Sequence, residues 1–132
     1  MDLIGRDEIL FDLLKNAELR ILDAVVKKIN IFVVGTKGLC IEVDFYHPQY
    51  DGRNLRLRFL GIKEYSFYHN DSHIFYNVEC YKLIMDGELY YLSLDPEDEF
   101  STEASDSDQD LIVFRNFEGL FLESNQANPE IL

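Results

Sequence analysis

Basic residues run out two thirds of the way along this chain: between Leu83 and Phe114 there is neither Lys nor Arg. The whole chain has 12 bases against 25 acids, a formal charge of −13 over 132 residues. Residues 1–85 carry 12 acids and 11 bases, whereas residues 86–132 carry 13 acids and one base, Arg115. Nucleic acids and anionic lipids need clustered cations, so neither is an expected partner. Cysteine is scarce too. Cys40 and Cys80 each sit in an apolar run, and either two buried thiols or one long-range disulfide fits them. No apolar run reaches the roughly 18 residues of a membrane span. The opening Met1-Asp2-Leu3-Ile4-Gly5-Arg6-Asp7-Glu8 is charged, unlike a secretory leader. A cytoplasmic protein with reduced thiols is the expectation.

Motifs that carry chemistry are missing as well. The sequence has no GxGxxG or GxxxxGK[ST] loop, no G-x-S-x-G elbow and no C-x-x-C pair. Asp106-Ser107-Asp108-Gln109-Asp110 opens like a calcium loop, but Leu111 stands where the sharp turn needs Gly, and Phe117 where a bidentate Glu belongs. His69 and His73, four apart with Asp71 between them, would share one face of a helix. Here they flank a turn, so a metal site is not expected. Glu42 and Asp44 are scattered carboxylates of the kind that strands usually expose to solvent, whereas the strand register turns Glu79 towards an apolar face, where it needs a nearby Arg. No enzyme, cofactor or metal is expected.

What is present is a globular composition, 47% hydrophobic with 18 Phe and Tyr residues, enough for one packed domain of ordinary size. No repeat of about 20–50 residues recurs. Ile9, Leu10, Leu13 and Leu14 recur at helical spacing, with Asp7, Glu8, Asp12 and Lys15 opposite, predicting a helix over 6–16. The β-branched run after Ala17 predicts a strand over 20–34. Gly35-Thr36-Lys37-Gly38 reads as a turn. Leu39, Ile41, Val43 and Phe45 then alternate with Cys40, Glu42, Asp44 and Tyr46, a half-buried strand over 38–46. Another strand is expected over 54–68, with Arg56 and Arg58 outward, a bulge at Gly61 and a turn at 69–72.

Asp86-Gly87 reads as a two-residue hairpin loop between strands 73–85 and 88–95. That register sets Met85 opposite Glu88, Leu83 opposite Tyr90, Tyr81 opposite Leu92 and Glu79 opposite Leu94. The core-facing side is then Tyr81, Leu83, Tyr90, Leu92 and Leu94. An acidic loop over 95–109, with Phe100 as its apolar anchor, is expected to be mobile. A last strand over 110–122, kinked at Gly119, precedes a frayed tail at 124–132. The fold class is α+β, mainly β: an antiparallel sheet or small β-sandwich of about six strands with a short N-terminal helix.

Two readings fit the acidic C-terminal third. It keeps the protein soluble, or it steers a basic protein partner. In the second case the contact residues are Asp95, Glu97, Asp98, Glu99, Asp106, Asp108 and Asp110. A small-ligand binder, with a pocket between sheet and helix lined by Tyr and Phe, is the alternative.

The stretch Leu55-Arg56-Leu57-Arg58-Phe59-Leu60-Gly61-Ile62-Lys63-Glu64-Tyr65-Ser66-Phe67-Tyr68, followed by Tyr81-Lys82-Leu83 and Phe117-Glu118-Gly119, resembles the small bacterial β-rich proteins that include uncharacterised members and immunity proteins of polymorphic toxin systems. Asp23-Ala24-Val25-Val26-Lys27-Lys28-Ile29 is similar to their first strand. The likeness covers residues 20–122 and lies in strand patterning. Those proteins share no catalytic motif, so no functional residue transfers. The resemblance implies a cytoplasmic non-enzyme that binds and blocks a toxin domain. Many such toxins are basic nucleases, which suits the charge.

Overall fold

The computed structural model describes residues 2–72 and 77–123. In chain order these form β1 (Asp2–Arg6), α1 (Asp7–Lys15), β2 (Val25–Val34), β3 (Gly38–Tyr46), β4 (Arg53–Ser66), β5 (Lys82–Asp86), β6 (Leu89–Asp95) and β7 (Gln109–Glu123). The strands make one antiparallel sheet in the order β2-β3-β4-β7-β6-β5. β7 lies along β4 on one side. Its other side is shared end to end, by β6 at residues 109–114 and by β1 at 118–121. The chain ahead of β5 also reaches the far edge. The Asp23 N–H donates to the Val78 carbonyl at 2.8 Å, the Val78 N–H donates to the Ala24 carbonyl at 2.9 Å, and Val25 bridges Asn77. The sheet therefore curls about one apolar cluster.

The cluster follows from alternation along each strand. Ile41, Val43 and Phe45, Leu55, Leu57 and Phe59, Leu83, Tyr90, Leu92 and Leu94, and Ile112, Phe114 and Phe117 all turn inward. At its centre the rings of Phe59 and Phe114 lie 4.7 Å apart, Phe114 and Phe117 4.9 Å, and Tyr90 and Phe117 5.1 Å. Such ring pairs add about 0.5–1.5 kcal/mol each beyond area burial. The helix seals one end with Leu10 and Leu14, both fully buried. Gly119, expected as a kink, instead makes room for it: a Cβ there would sit 3.0 Å from Leu10 Cδ1.

Four other expectations change. Ile9 is exposed, and the inward face of α1 is completed by Phe11 and Leu13. The strand expected from residue 20 begins at Val25, because Ala17 and Asp23 take positive φ (58° and 67°) and break extended geometry. Leu19, Ile21 and Ala24 still reach the core from irregular chain. The strand expected over 73–85 begins at Lys82; residues 73–76 and the tail 124–132 lie outside the described residues. β1, which the mixed opening residues did not announce, is held on β7 by Leu3↔Leu120 and Arg6↔Glu118.

The hairpin between β5 and β6 pairs Asp86 with Leu89, Met85 with Tyr90 and Leu83 with Leu92. The loop is thus Gly87-Glu88, one residue later than expected. Gly87 has φ +63° while Glu88 does not share a positive φ, the type II′ pattern with Gly at the first loop position. Each partner moves by two residues, so the faces are unchanged, and Tyr81, Leu83, Tyr90, Leu92 and Leu94 all join the core. Glu79 lies outside the strand and is exposed, not set against an apolar face. Gly61, with φ +62°, marks the irregular stretch of β4, where the register with β7 shifts between Ile62 and Glu64.

Candidate functional site: the folded acidic loop

Leu83, Leu92 and Ile112 face the core, so their strand neighbours face outward. Pairing registers assemble those neighbours into rows across four strands. One row is Ile84, Tyr91, Val113 and Glu64; the next is Lys82, Ser93, Leu111 and Ser66. The acidic segment between β6 and β7 folds back over the second row.

Its anchor is Asp108. Lys82 Nζ donates to Asp108 Oδ2 at 2.9 Å and to the Glu103 carbonyl at 2.9 Å. The Tyr91 hydroxyl donates to the same carboxylate oxygen at 2.7 Å. The Glu97 N–H donates to Oδ1 at 2.8 Å and the Ser105 N–H to Oδ2 at 3.0 Å. Lys82 is 2% exposed and Asp108 5%. An ion pair this deep survives only when its remaining donors and acceptors are satisfied, and four donors meet this one carboxylate. Burial opposes its ionisation, but the hydrogen bonds from Tyr91, Lys82 and the two backbone amides prevail and hold Asp108 below the ordinary carboxylate range. Burial first, and then the Asp108 bond, push the Tyr91 phenol strongly up.

Short-range turns shape the rest of the loop. Asp98 Oδ1 accepts from the Phe100 N–H at 3.0 Å, Ser101 Oγ from the Glu103 N–H at 3.1 Å, and Ser105 Oγ from the Ser107 N–H at 3.1 Å. These are the local turns that Asp and Ser favour. The Ser105 hydroxyl donates to Glu97 Oε1 at 3.1 Å. A segment expected to be mobile is thus tied to the sheet at several points. Phe100, expected as its anchor, is 86% exposed; the anchor is polar.

The seven acids expected to meet a partner divide accordingly. Glu97, Asp98, Glu99 and Asp106 are exposed, and Asp95 is half-buried. Asp108 and Asp110 are buried. Asp110 adopts φ 52° and accepts from the Tyr68 N–H at 2.8 Å. Lys82 and Tyr91, which hold the loop, were not expected. Lys82 is the last base before the acidic run and sits in a strand, and that was the available signal.

A second polar constellation lies on the outward side of β3, β4 and β7. Arg56 grips Asp44 through Nε and Nη2 at 2.8 and 3.0 Å. Arg58 donates to Glu42 at 2.7 Å and to Glu118 at 2.7 Å, and Arg6 reaches Glu118 at 3.0 Å. Glu42 and Asp44, expected to be solvated, are 7% and 1% exposed. The registers explain this: Glu42 lies opposite Arg58 and Asp44 opposite Arg56, where opposite charges attract across strands. Burial opposes ionisation of Glu118, but Arg58 and Arg6 hold it below its ordinary range.

Cys40 is buried and Cys80 half-buried, both as free thiols, and burial raises both. His47 Nδ1 accepts from the Gln49 N–H at 3.0 Å. His73 lies outside the described residues. Among the described residues no group of three His, Cys, Asp or Glu could hold a metal, and no helix is long and apolar enough to cross a membrane. Where the alternative reading needs an aromatic pocket, the Phe11 ring lies 5.8 Å from the Tyr90 ring, and Tyr90 packs on Phe114 and Phe117. Compared with known proteins, the chain matches no family model, no curated protein and no solved structure.

Proposed function

We propose that this chain is an acidic protein-interaction module, without catalytic activity, that presents its β6–β7 loop to a basic partner protein. A toxin domain neutralised by an immunity-type protein is the partner that the resemblance in strand patterning suggests, and the cytoplasm the compartment. One observation carries the reading. Glu97, Asp98, Glu99 and Asp106 project from a loop with a fixed internal anchor, and no cation among the described residues pairs with them. Surface charge left uncompensated costs some stability through self-repulsion, and it raises the encounter rate with an oppositely charged protein.

The test is kinetic. A partner captured from the source cells is purified, and its association with the wild-type chain and with an E97Q/D98N/E99Q/D106N variant is followed by stopped flow at low and high salt. Slower association with a flatter salt dependence is expected for the variant. Equal rates at both salts would leave the acids as a solubilising surface only.

A further inference from the structure

The loop covers only part of one outward row of the sheet, burying Tyr91 but leaving Ile84 and Val113 half-buried and Glu64 exposed. Lys82, Ser93 and their row lie beneath it, while Ile84, Tyr91, Val113 and Glu64 lie beside its edge. Two adjoining hollows open there, and Tyr91 and Ala104 border both. The larger, about 490 Å³, has an apolar floor that includes Ile84, Met85 and Val113, with Asp86 and Glu103 among its lining residues. The smaller, about 350 Å³, holds Glu64 and Asp106 with Ser66 and Ser105. Met85 is 50% exposed. Neither Glu64, Asp86, Glu103 nor Asp106 makes an ion pair among the described residues.

We propose that this groove is the docking site for an extended basic segment of the partner protein. One aliphatic side chain fills the hollow over Ile84 and Val113, and an arginine or lysine two residues along reaches Glu64 and Asp106. The inference rests on the acidic-module reading and deepens it by giving the loop a second duty, as one wall of a cleft. Charge complementarity selects the occupant. Besides Asp108, which Lys82 neutralises, the walls carry four carboxylates against one cation, Lys63, so an acidic or nucleic-acid segment is repelled and a basic one is drawn in. The apolar floor supplies what rim charges alone do not, an anchor that slows dissociation. An extended segment alternates its side chains, so an apolar residue and a basic residue two positions along face the cleft together.

The probes are two hexapeptides, one with leucine and arginine at alternate positions of one face and serine between them (Leu-Ser-Arg-Ser-Leu-Ser), the other with glutamate in place of arginine. Each is titrated into the isotopically labelled full chain and followed by amide chemical shifts. Saturable shifts at Glu64, Ile84, Tyr91, Ala104 and Val113 are expected with the arginine peptide and not with the glutamate peptide. Ala104→Trp fills the cleft from an exposed loop position, and E64K/D106K reverses the charge of its polar end. Each should weaken the arginine peptide about tenfold or more, equivalent to about 1.4 kcal/mol, with an unchanged melting temperature showing that the fold is intact. E97Q/D98N/E99Q, outside the cleft, should weaken the arginine peptide less than either cleft variant does.

Shifts confined to residues 97–99, or binding indifferent to both cleft variants, would overturn the proposal. So would peptide-free shifts at the cleft that grow with protein concentration, which would assign it to a second copy of the chain. With a captured partner the two readings separate. If neutralising the loop slows association while Ala104→Trp leaves dissociation unchanged, the cleft falls and the acidic module stands. If neither variant has an effect, both fall.

Discussion

On β3, β4 and β7, Glu42, Asp44 and Glu118 turn away from the core and each meets an arginine. On the loop between β6 and β7, Asp108 meets a cation, while Glu97, Asp98, Glu99 and Asp106 project into solvent. Both regions are polar and both lie outside the apolar core, yet they use charge differently. In the ladder, charge is consumed in holding strands together, and most of its members come from residues 1–85, where 12 acids meet 11 bases. In the loop one buried pair fixes the backbone and the remaining charge is displayed. Acidity by itself therefore says little about function; whether a carboxylate has a partner within the fold says more.

The comparison breaks hardest at Lys82. Lys82→Met leaves the Asp108 carboxylate buried with no cation, and losing one member of such a pair costs about 3–5 kcal/mol. Urea denaturation should show a loss of that size. A loss under about 1 kcal/mol would mean that the loop opens readily to hydrate Asp108, and that it has no fixed shape to present. In the double variant K82M/D108L stability should stay low, because the Glu97 and Ser105 amides also lose their acceptor.

Arg56→Met should cost less, about 1.5–3 kcal/mol, the range for hydrogen bonds to a charged group. Asp44 is as buried as Asp108, but the arginine side of its pair is 16% exposed, so water can partly replace it. Here the double replacement D44L/R56L should return close to wild-type stability, since Glu42 retains Arg58 at 2.7 Å and apolar pairs often substitute for ion pairs without loss. The contrast between the two double variants is the sharper measurement: recovery at both sites, or at neither, would erase the distinction between ladder and anchor.

Acid should weaken both regions. Asp108 and Glu118 are held below their usual values of 3.8 and 4.5. The unfolded chain then takes up protons first as pH falls. The stability these groups contribute is fully present above about pH 4.5 and is lost as pH drops through their folded-state values. Urea midpoints measured from pH 7 down to pH 3 should be flat at first and then decline. Glu118→Gln should make that decline shallower; an identical slope would remove Glu118 from the account.

Much of the fold was legible because its signals are local. The alternation of Leu39, Ile41, Val43 and Phe45 marks β3, and the spacing of Leu10 and Leu14 marks the helix. Asp86-Gly87 located a hairpin and its faces, but Gly87 suits either loop position of a two-residue turn, so the loop moved by one residue and each cross-strand partner by two. β1 was silent because it owes its existence to a free stretch of β7 edge, not to its own five residues. The ladder was half legible: Glu42 and Asp44 share a phase, as do Arg56 and Arg58, and only the register between β3 and β4 joins them. The Lys82–Asp108 contact spans 26 residues and depends on the loop reversing over the sheet. No local pattern encodes that, so Asp108 read as one acid among many and was grouped with residues displayed at the surface.

The smallest expected effect on stability tests the displayed charge. In E97Q/D98N/E99Q/D106N the anchor residues Lys82, Tyr91 and Asp108 are untouched. Exposed substitutions away from such anchors usually stay within about 0.5 kcal/mol. Two local hydrogen bonds also tolerate the changes: Asp98 Oδ1, which accepts from the Phe100 N–H, and Glu97 Oε1, which accepts from the Ser105 hydroxyl, keep an oxygen acceptor as Asn and Gln. Relief of like-charge repulsion acts in the stabilising direction. The melting temperature should therefore hold or rise slightly, and do so more at low salt than at high, where screening already weakens the repulsion. A marked fall would show that these four acids, like Asp108, are bound into the fold, and the contrast between displayed and consumed charge would have to be redrawn.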